Sequence, residues 1–465
     1  MKRILKTYFC LQFVIVLALL VSNNLYARED TQLEVLTLDE FIHQAIQKDT
    51  RFEEIMIEEL KLKYKKALAL PAADFVLGVK REYDFFFDPK GDSFEDTLSL
   101  SKLFPYTGTT IDAEYASSIS ESTRKKSSDF TAYITQPIAE NAFGRNTRIL
   151  DKIIGFETEV ANFQIIEAYE DYLATVIQLY YNWYSAYENL KTATISYNEN
   201  LKLLENIKER EKFKIALPVD VSKISLQVAA KKENLITLQN KYDENLTLIK
   251  ESIRYSEEEI ICPEKPAVYN DVSIDFAKDY EVFNINSRTS QMLLMLENKA
   301  SLEVDKYADE LLPSIDIIAG YSIEGSGRDI DKGNRTVYAG ISMEWPLPGQ
   351  VERAQYETSK VELQKTKLSS ENIHLRLRSN LKNLNDKIQA ENKLIALAQE
   401  KIDYARIIVD DDKENYSLGR ISLNDFIDEV NKLEENKFNK IYHEIQLKRF
   451  IIEWLRLTDE LVKKK

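Results

Sequence analysis

The chain has 465 residues, with 62 Lys and Arg against 77 Asp and Glu, a formal charge of −15, and 12 Gly and 10 Pro. An acidic balance of this size argues against a nucleic-acid partner, whose phosphates call for a basic face. Of the two cysteines, Cys10 lies in a leader-like segment and Cys262 stands alone after it, so no internal disulfide is expected and packing must hold the fold.

The N-terminus begins with Lys2, Arg3 and Lys6, continues as an apolar run from Phe9 to Val21, and reaches small-residue cleavage chemistry at Leu25-Tyr26-Ala27. That order predicts a secretory signal peptide over 1–27. A membrane anchor is the weaker alternative, because the run falls short of the about 20 apolar residues a helical span needs. Cleavage takes the formal charge to −18, and no Cys follows Ala27 to accept a lipid. No later apolar run is long enough to span as a helix, so a membrane-crossing part of this chain has to be made of strands.

The mature chain opens its first helix with the capping box Thr37-Leu-Asp-Glu40. Gly and Pro are clustered, and the stretches 156–217, 219–262, 272–312, 351–418 and 420–465 contain neither. Those are helical lengths, and Leu377, Leu381, Leu384 and Ile388 repeat at the spacing of a buried helix stripe. Runs of roughly 60 residues reach about 90 Å as helix, which requires lengthwise, coiled-coil-like packing.

Between the helices the period changes to two. Phe75, Leu77, Val79, Tyr83, Phe85 and Phe87 alternate with Lys80, Glu82 and Asp84. Ile315, Ile317, Ala319, Tyr321 and Ile323 alternate with Asp316, Ser322 and Glu324, and Val337, Ala339, Ile341 and Met343 precede Trp345 in the same way, against Ser342 and Glu344. Strands apolar on one side and charged on the other suit a barrel wall between lipid and water, with a soluble sandwich as the alternative. The first half has room for four strands, at 75–87, 95–102, 109–117 and 129–136, with Pro105 to Gly108 as a turn. With two from the second half the wall has six strands per chain; the alternative is four, with the extra pair over the barrel mouth or outside it.

The chain also repeats itself. Lys63 to Pro71 parallels Lys306 to Pro313, Thr135-Gln136-Pro137 parallels Glu344-Trp345-Pro346, and Phe213 to Asp220 occupies the place of Tyr416 to Asp425. The first repeat is read as 28–262, with strands within 72–138 and a helical hairpin over 144–256 whose tip lies near 213–220. A linker over 263–271 follows. The second repeat is 272–465, with strands within 314–345 and a hairpin over 351–461 whose tip lies near 412–428. The closing Lys-Lys-Lys is read as a solvated tail. At the second tip Gly419 supplies the residue free to take positive φ, and Asp425 and Asp428 share one face at the start of the returning helix. Taken alone, those acids fit an ordinary solvated helix start.

Tyr416-Ser-Leu-Gly419 followed by Asp425 and Asp428, the two strand blocks and the duplication together resemble the TolC family of outer-membrane efflux and secretion channels, over nearly all of the mature sequence. The resemblance implies a mostly α fold with transmembrane β: a trimeric β-barrel continued by a long α-helical barrel of coiled-coil-like hairpins. It implies that Asp425 and Asp428 line the closed periplasmic aperture, and that Asp220 falls where the best-known member has an Asp bonded to the Tyr matched by Tyr416. The Arg of that network falls on Ile421, with Arg420 adjacent. The first tip is two residues shorter than that member's, with Ala216 and Pro218 in place of a Gly-led loop. A homotrimer acting as a passive duct is implied, with a periplasmic adaptor, an inner-membrane pump and outer-membrane lipid as partners and no cofactor.

An enzyme is a poor fit, because His43, His374 and His443 are single and lack the i, i+4 pairing of a helical zinc motif. No phosphate-binding loop is visible. A periplasmic coiled-coil scaffold without a pore accounts for the helices but not for the alternating strands.

Overall fold

A computed structural model describes residues 34–87, 90–120, 125–255, 260–266, 274–326 and 329–462. The predicted signal peptide, residues 267–271 of the expected linker and the Lys tail lie outside the described residues. The first half runs β1 (Glu34–Leu36), α1 (Leu38–Lys48), α2 (Thr50–Ala69), β2 (Phe75–Phe87), β3 (Lys90–Phe104), β4 (Thr109–Ser120), β5 (Lys125–Pro137), α3 (Arg145–Lys212), α4 (Pro218–Ser252) and β6 (Ile261–Pro263). The second runs α5 (Phe276–Asn286), α6 (Arg288–Asp309), β7 (Ser314–Ser326), β8 (Asp329–Glu344), α7 (Gln350–Ser417) and α8 (Leu423–Leu457). Helices α3 and α7 each have 68 residues and α4 and α8 each have 35, so the second hairpin reproduces the first 205 positions later.

The stretches free of Gly and Pro are not all single helices, which corrects the expectation from composition. The helix expected to open at Thr37 is interrupted as well, between α1 and α2 at Asp49, whose N–H closes α1 on Ala45 O at 2.9 Å. Its carboxylate accepts from Arg51 N at 3.0 Å and from the Tyr172 hydroxyl at 3.2 Å. Between α5 and α6, Ser287 N donates to Phe283 O at 2.9 Å while its Oγ accepts from Ser290 N at 3.1 Å, ending one helix and capping the next. Polar side chains can break a helix through local hydrogen bonds that no Gly or Pro announces. Helix α4 likewise stops at Ser252, and Ile261–Pro263 is a strand where helix and then linker were expected.

Contacts divide the chain into two compact units that cut across the repeats. One comprises 54–169 and 275–381 and holds a six-stranded antiparallel sheet of order β2-β3-β4-β5-β7-β8. All six predicted strands are in it, β3 pairing with β4 from Ser93–Ser120 to Phe104–Thr109. The register puts Leu77, Leu100, Ala113, Ala132, Tyr321 and Val337 in one row, so their side chains share a face. Val79, Ile317, Ala319, Ile341 and Met343 lie on that face too, with the ion pair of Arg81 and Asp96 among them, and Val79 and Val337 are 79% and 82% exposed, so among the described residues nothing covers them. The opposite face carries Glu82, Glu95, Asp112, Glu114, Asp129, Asp316, Glu324 and Glu344, with Lys80 paired to Glu82.

The passage from β5 into α3 is closely packed. Gly144, at φ 75°, leaves no room for a Cβ, which would meet Tyr106 O at 2.4 Å, and Arg148 Nη1 donates to the same carbonyl at 2.8 Å. Asn141, also at positive φ, donates its N–H to the buried Asp309 carboxylate at 2.8 Å, and Arg145 stands 3.4 Å from the same group. The turn at 105–108 and the end of α6 thus aim α3 out of the sheet.

The other unit comprises the described parts of 1–53, 170–274 and 382–465. Phe41, Tyr180 and Trp183 are fully buried in it; Tyr180 lies 5.9 Å from Phe41 and edge-on to Trp183 at 5.7 Å. The Tyr180 hydroxyl, buried in this core, donates within reach of Leu36 O at 2.7 Å and Glu264 O at 2.9 Å, tying the parallel pair β1 and β6 to α3. Removing that hydroxyl leaves buried carbonyls under-satisfied at a cost of about 1–3 kcal/mol. Tyr180→Phe should therefore raise amide hydrogen exchange at 34–36 and 261–262 by roughly tenfold or more, with exchange in the six-stranded sheet unchanged, as read by exchange mass spectrometry.

Candidate functional site

The candidate site is the pair of helical tips, α3 into α4 and α7 into α8. Each is closed by the same backbone device. At the second tip Gly419 takes φ 70°, Gly419 N donates to Tyr416 O at 3.0 Å, and Arg420 N reaches Asn415 O at 2.8 Å. At the first tip Lys214 takes φ 56°, with Lys214 N on Glu211 O and Ile215 N on Arg210 O, both at 2.8 Å. Lysine holds a left-handed position that glycine fills in the other repeat, a local strain held by the packing beneath it. Pro218 then opens α4 at its first position, where a missing N–H is harmless.

Beneath the tips Ile207, Ile224, Leu423 and Ile427 are buried together, with Leu203, Leu204, Ala216, Val221 and Tyr416 packed against them. The Tyr416 ring stacks on Phe426, centroids 5.8 Å apart and planes within 3°. The Arg210 guanidinium lies 5.1 Å from the other part of this stack, over the Tyr416 ring, and its Nη2 donates to Ser417 O at 3.3 Å. Arg210 is the tip residue that sequence reading missed. A cation in the last turn of α3 was visible as a helix-end charge, but not its partner 206 positions away.

The acids are placed differently from one another. Asp425 folds back on its own helix start: Oδ2 accepts from Ser422 Oγ at 2.7 Å and from Ser422 N at 3.2 Å, while Ser422 Oγ accepts from Asp425 N at 3.3 Å. Asp220, its counterpart 205 positions earlier, accepts from Leu217 N at 3.2 Å in the same way. Asp428 is exposed and, among the described residues, accepts no hydrogen bond. Arg420 is exposed, its Nη1 3.4 Å from Asn415 Oδ1. Within the chain Tyr416 and Asp220 are not hydrogen-bonded, yet they are close enough to interact. Burial pushes the Tyr416 hydroxyl up from its ordinary range, the Arg210 charge pulls it down, and the Asp220 charge raises it again.

Behind the tips lies an open cavity of about 810 Å³ lined by α3, α7 and α8. At its wall the buried Glu434 carboxylate accepts from Ser196 Oγ at 2.7 Å and pairs with Lys231, and Gln227 Nε2 donates to Asn431 Oδ1 at 2.6 Å. These bonds join α3 and α4 to α8.

The three histidines are dispersed: His43 is near Gln47, His443 pairs with Glu391 at 2.7 Å, and His374 borders a separate shallow pocket. Among the described residues no group of three His, Cys, Asp or Glu side chains could hold a metal ion, and no helix is long and apolar enough to cross a membrane.

The fold has solved counterparts. The chain aligns with the channel CusC at TM-score 0.71 and 10% identity, over 93% of this chain and 95% of that one. It aligns with the outer membrane protein VceC from Vibrio cholerae at TM-score 0.68 and 14% identity, over 91% and 95%. With the CmeC outer membrane channel of Campylobacter jejuni the values are 0.67 and 11%, over 92% and 87%. These are TolC-family channels, and the chain has their fold, long helices with a sheet. No family profile matches the sequence, and no curated protein is similar to it in sequence.

The Tyr416 shift has a testable sign. An acid whose folded pKa is raised stabilises the tip fully below its unfolded value, near 10, and that contribution is lost as pH rises through the folded value. The thermal midpoint of the helical circular dichroism signal should fall more steeply above pH about 10 in the parent protein than in Tyr416→Phe; equal slopes refute the assignment.

Proposed function

We propose that the chain is the subunit of a homotrimeric outer-membrane channel of the TolC family, a passive exit duct for efflux or type I secretion. The observation that carries this reading is the six-stranded sheet with one uncovered apolar face and one carboxylate-rich face, which suits a wall between lipid and water. The shared fold supports it. On this reading the helical hairpins extend into the periplasm, where the tips meet a periplasmic adaptor and an inner-membrane pump supplies the energy. A pore-free coiled-coil scaffold has no use for such a sheet.

Asp425 and Asp428 form the acidic ring at the periplasmic aperture, six carboxylates from three chains. Tyr416, Asp220 and Arg420 belong to the gate that holds it, with the turns at Pro218 and Gly419 setting the geometry. Carboxylates about 6 Å apart repel by roughly 0.7 kcal/mol in water and by several-fold more in a narrowed mouth. The ring therefore attracts cations and resists closure unless helix contacts oppose it.

Recovery from outer membranes as a heat-modifiable trimer tests the reading as a whole. In intact membranes, cysteines at 316 and 344 should react with water-soluble thiol reagents while those at 317 and 341 stay protected; equal labelling refutes the wall. In planar bilayers, replacing both Asp425 and Asp428 by Asn should lower cation selectivity and weaken block by multivalent cations, and Tyr416→Phe should raise conductance. Unchanged selectivity and block in the double variant would make the two acids ordinary residues of a solvated helix start.

A further inference from the structure

The cavity behind the tips is long and narrow. Its wall runs on α3 from Thr192 to Arg210, about 27 Å at helical rise, and on α7 from Arg406 to Ser417. About 810 Å³ spread over that length makes a trough, of a volume usual for small-molecule sites. All of it lies within one of the two compact units.

Its charge runs against that of the chain. In a protein of formal charge −15, five cations line the trough, Lys202, Arg210, Arg406, Lys413 and Lys437, against three carboxylates, Glu199, Asp410 and Glu434. Glu434 is already compensated by Lys231. Among the described residues none of the five cations is in an ion pair. Glu199 and Lys202, like Asp410 and Lys413, have the i, i+3 spacing at which Glu429 and Lys432 close at 2.7 Å and Glu357 and Lys360 at 3.0 Å, yet neither of the two lining pairs closes. The Arg210 guanidinium rests on the Tyr416 ring and on Ser417 O, neither of which carries a charge to match it.

Bonds between helices set the levels of these groups. Ser196 bonds Glu434 and Lys440 bonds Gln399, so along the antiparallel pair α7 and α8 Glu434 is level with Ala405, and Ser196 with both. Counted toward the tip, Lys202 falls within two residues, about 3 Å, of the level of Lys413. Arg210 lies on the tip side of both, over Tyr416. Three cations from two helices therefore gather at the tip end of the trough. Leu203, Val409, Val430 and Leu433 line the stretch beside and behind them. Glu199 and Asp410 stand between these three cations and the other two, Arg406 and Lys437.

We propose that the trough binds a single-chain anionic amphipath, of the class of a fatty acid or an alkyl sulfate. Its head group sits on Lys413, Lys202 and Arg210, and its chain runs away from the tip along Leu203, Val430 and Leu433. Guanidinium and ammonium donors suit a carboxylate or sulfate, and an anion there supplies the charge that no carboxylate of the chain brings to these cations. The narrow apolar stretch behind suits one extended chain. An alkylammonium of the same length would put its charge among three like charges and be rejected.

The test uses the full-length protein carrying Cys262→Ala in lipid nanodiscs, titrated calorimetrically with octyl sulfate against protein-free nanodiscs as the blank. One saturable site per chain is expected. Octanol should bind at least tenfold more weakly, and octyltrimethylammonium should show no saturable site. Lys202→Gln with Lys413→Gln should weaken octyl sulfate at least tenfold, whereas Lys208→Gln, exposed on α3 and outside the trough, should change nothing. Leu433→Trp, which fills the apolar stretch, should abolish binding with the helical circular dichroism intact. Equal binding of the anionic and cationic probes, or an octyl sulfate affinity indifferent to both the Gln pair and the Trp, would overturn the proposal. Lys413→Cys should react with a water-soluble thiol reagent, and octyl sulfate should slow the reaction. A Lys413→Cys that does not react at all would mean that another copy covers the trough, and would overturn the proposal too. The site belongs to the tip of one chain, so a failed site and a failed duct are distinguishable.

Discussion

The structure depends on a sheet whose two faces differ in polarity. Alternation along each strand and the register between strands combine to gather Leu77, Val79, Ile317 and Ile341 on one face and Glu82, Asp112, Asp316 and Glu344 on the other. Apolar surface of this extent left in water is unfavourable by roughly 25 cal/mol per Å², and carboxylates in lipid are costlier still. The two faces therefore cannot both be at home in one solvent. The junction at Asn141, Gly144 and Arg148 fixes how the chain leaves this sheet for α3.

The duplication shows how one backbone design serves different side chains. Both tips use the same turn and the same carboxylate at the third position of the returning helix, Asp220 in one and Asp425 in the other. A carboxylate engaged by a helix N-terminus is partly neutralised by its donors. Among the described residues Asp428 has no such engagement, and the charge it acts on is that of Lys432, one turn further along α8. Lys214 and Gly419 hold equivalent left-handed positions, and the strain at the lysine shows that packing around Ile207 and Ile224 outweighs the local preference.

The polar contacts behind the tips work as alignment marks. Apolar stripes along helices can slip by a turn at little loss, whereas the buried Glu434 carboxylate, held by Ser196 and Lys231, has one satisfactory position. Separating that pair would leave a charge in the packed interior, so α8 and the first hairpin are held in one register where the tips must meet.

By itself the sequence determined the helical stretches, the six strands, their faces, the repeat and the place of the tip, because each rests on local periodicity or on Gly and Pro placement. That Tyr416, Asp425 and Asp428 sit at a helical tip was legible for the same reason, since they lie within a few residues of a turn that only glycine takes without strain, whereas their role was implied by the family resemblance alone. The breaks at Asp49 and Ser287 were not, since both arise from side-chain hydrogen bonds in sequences that would otherwise continue as helix. The pairing of β1 with β6 and the stacking of Arg210 on Tyr416 were decided by the tertiary structure alone. Partners roughly two hundred positions apart carry no shared period, and only packing brings them within reach of each other.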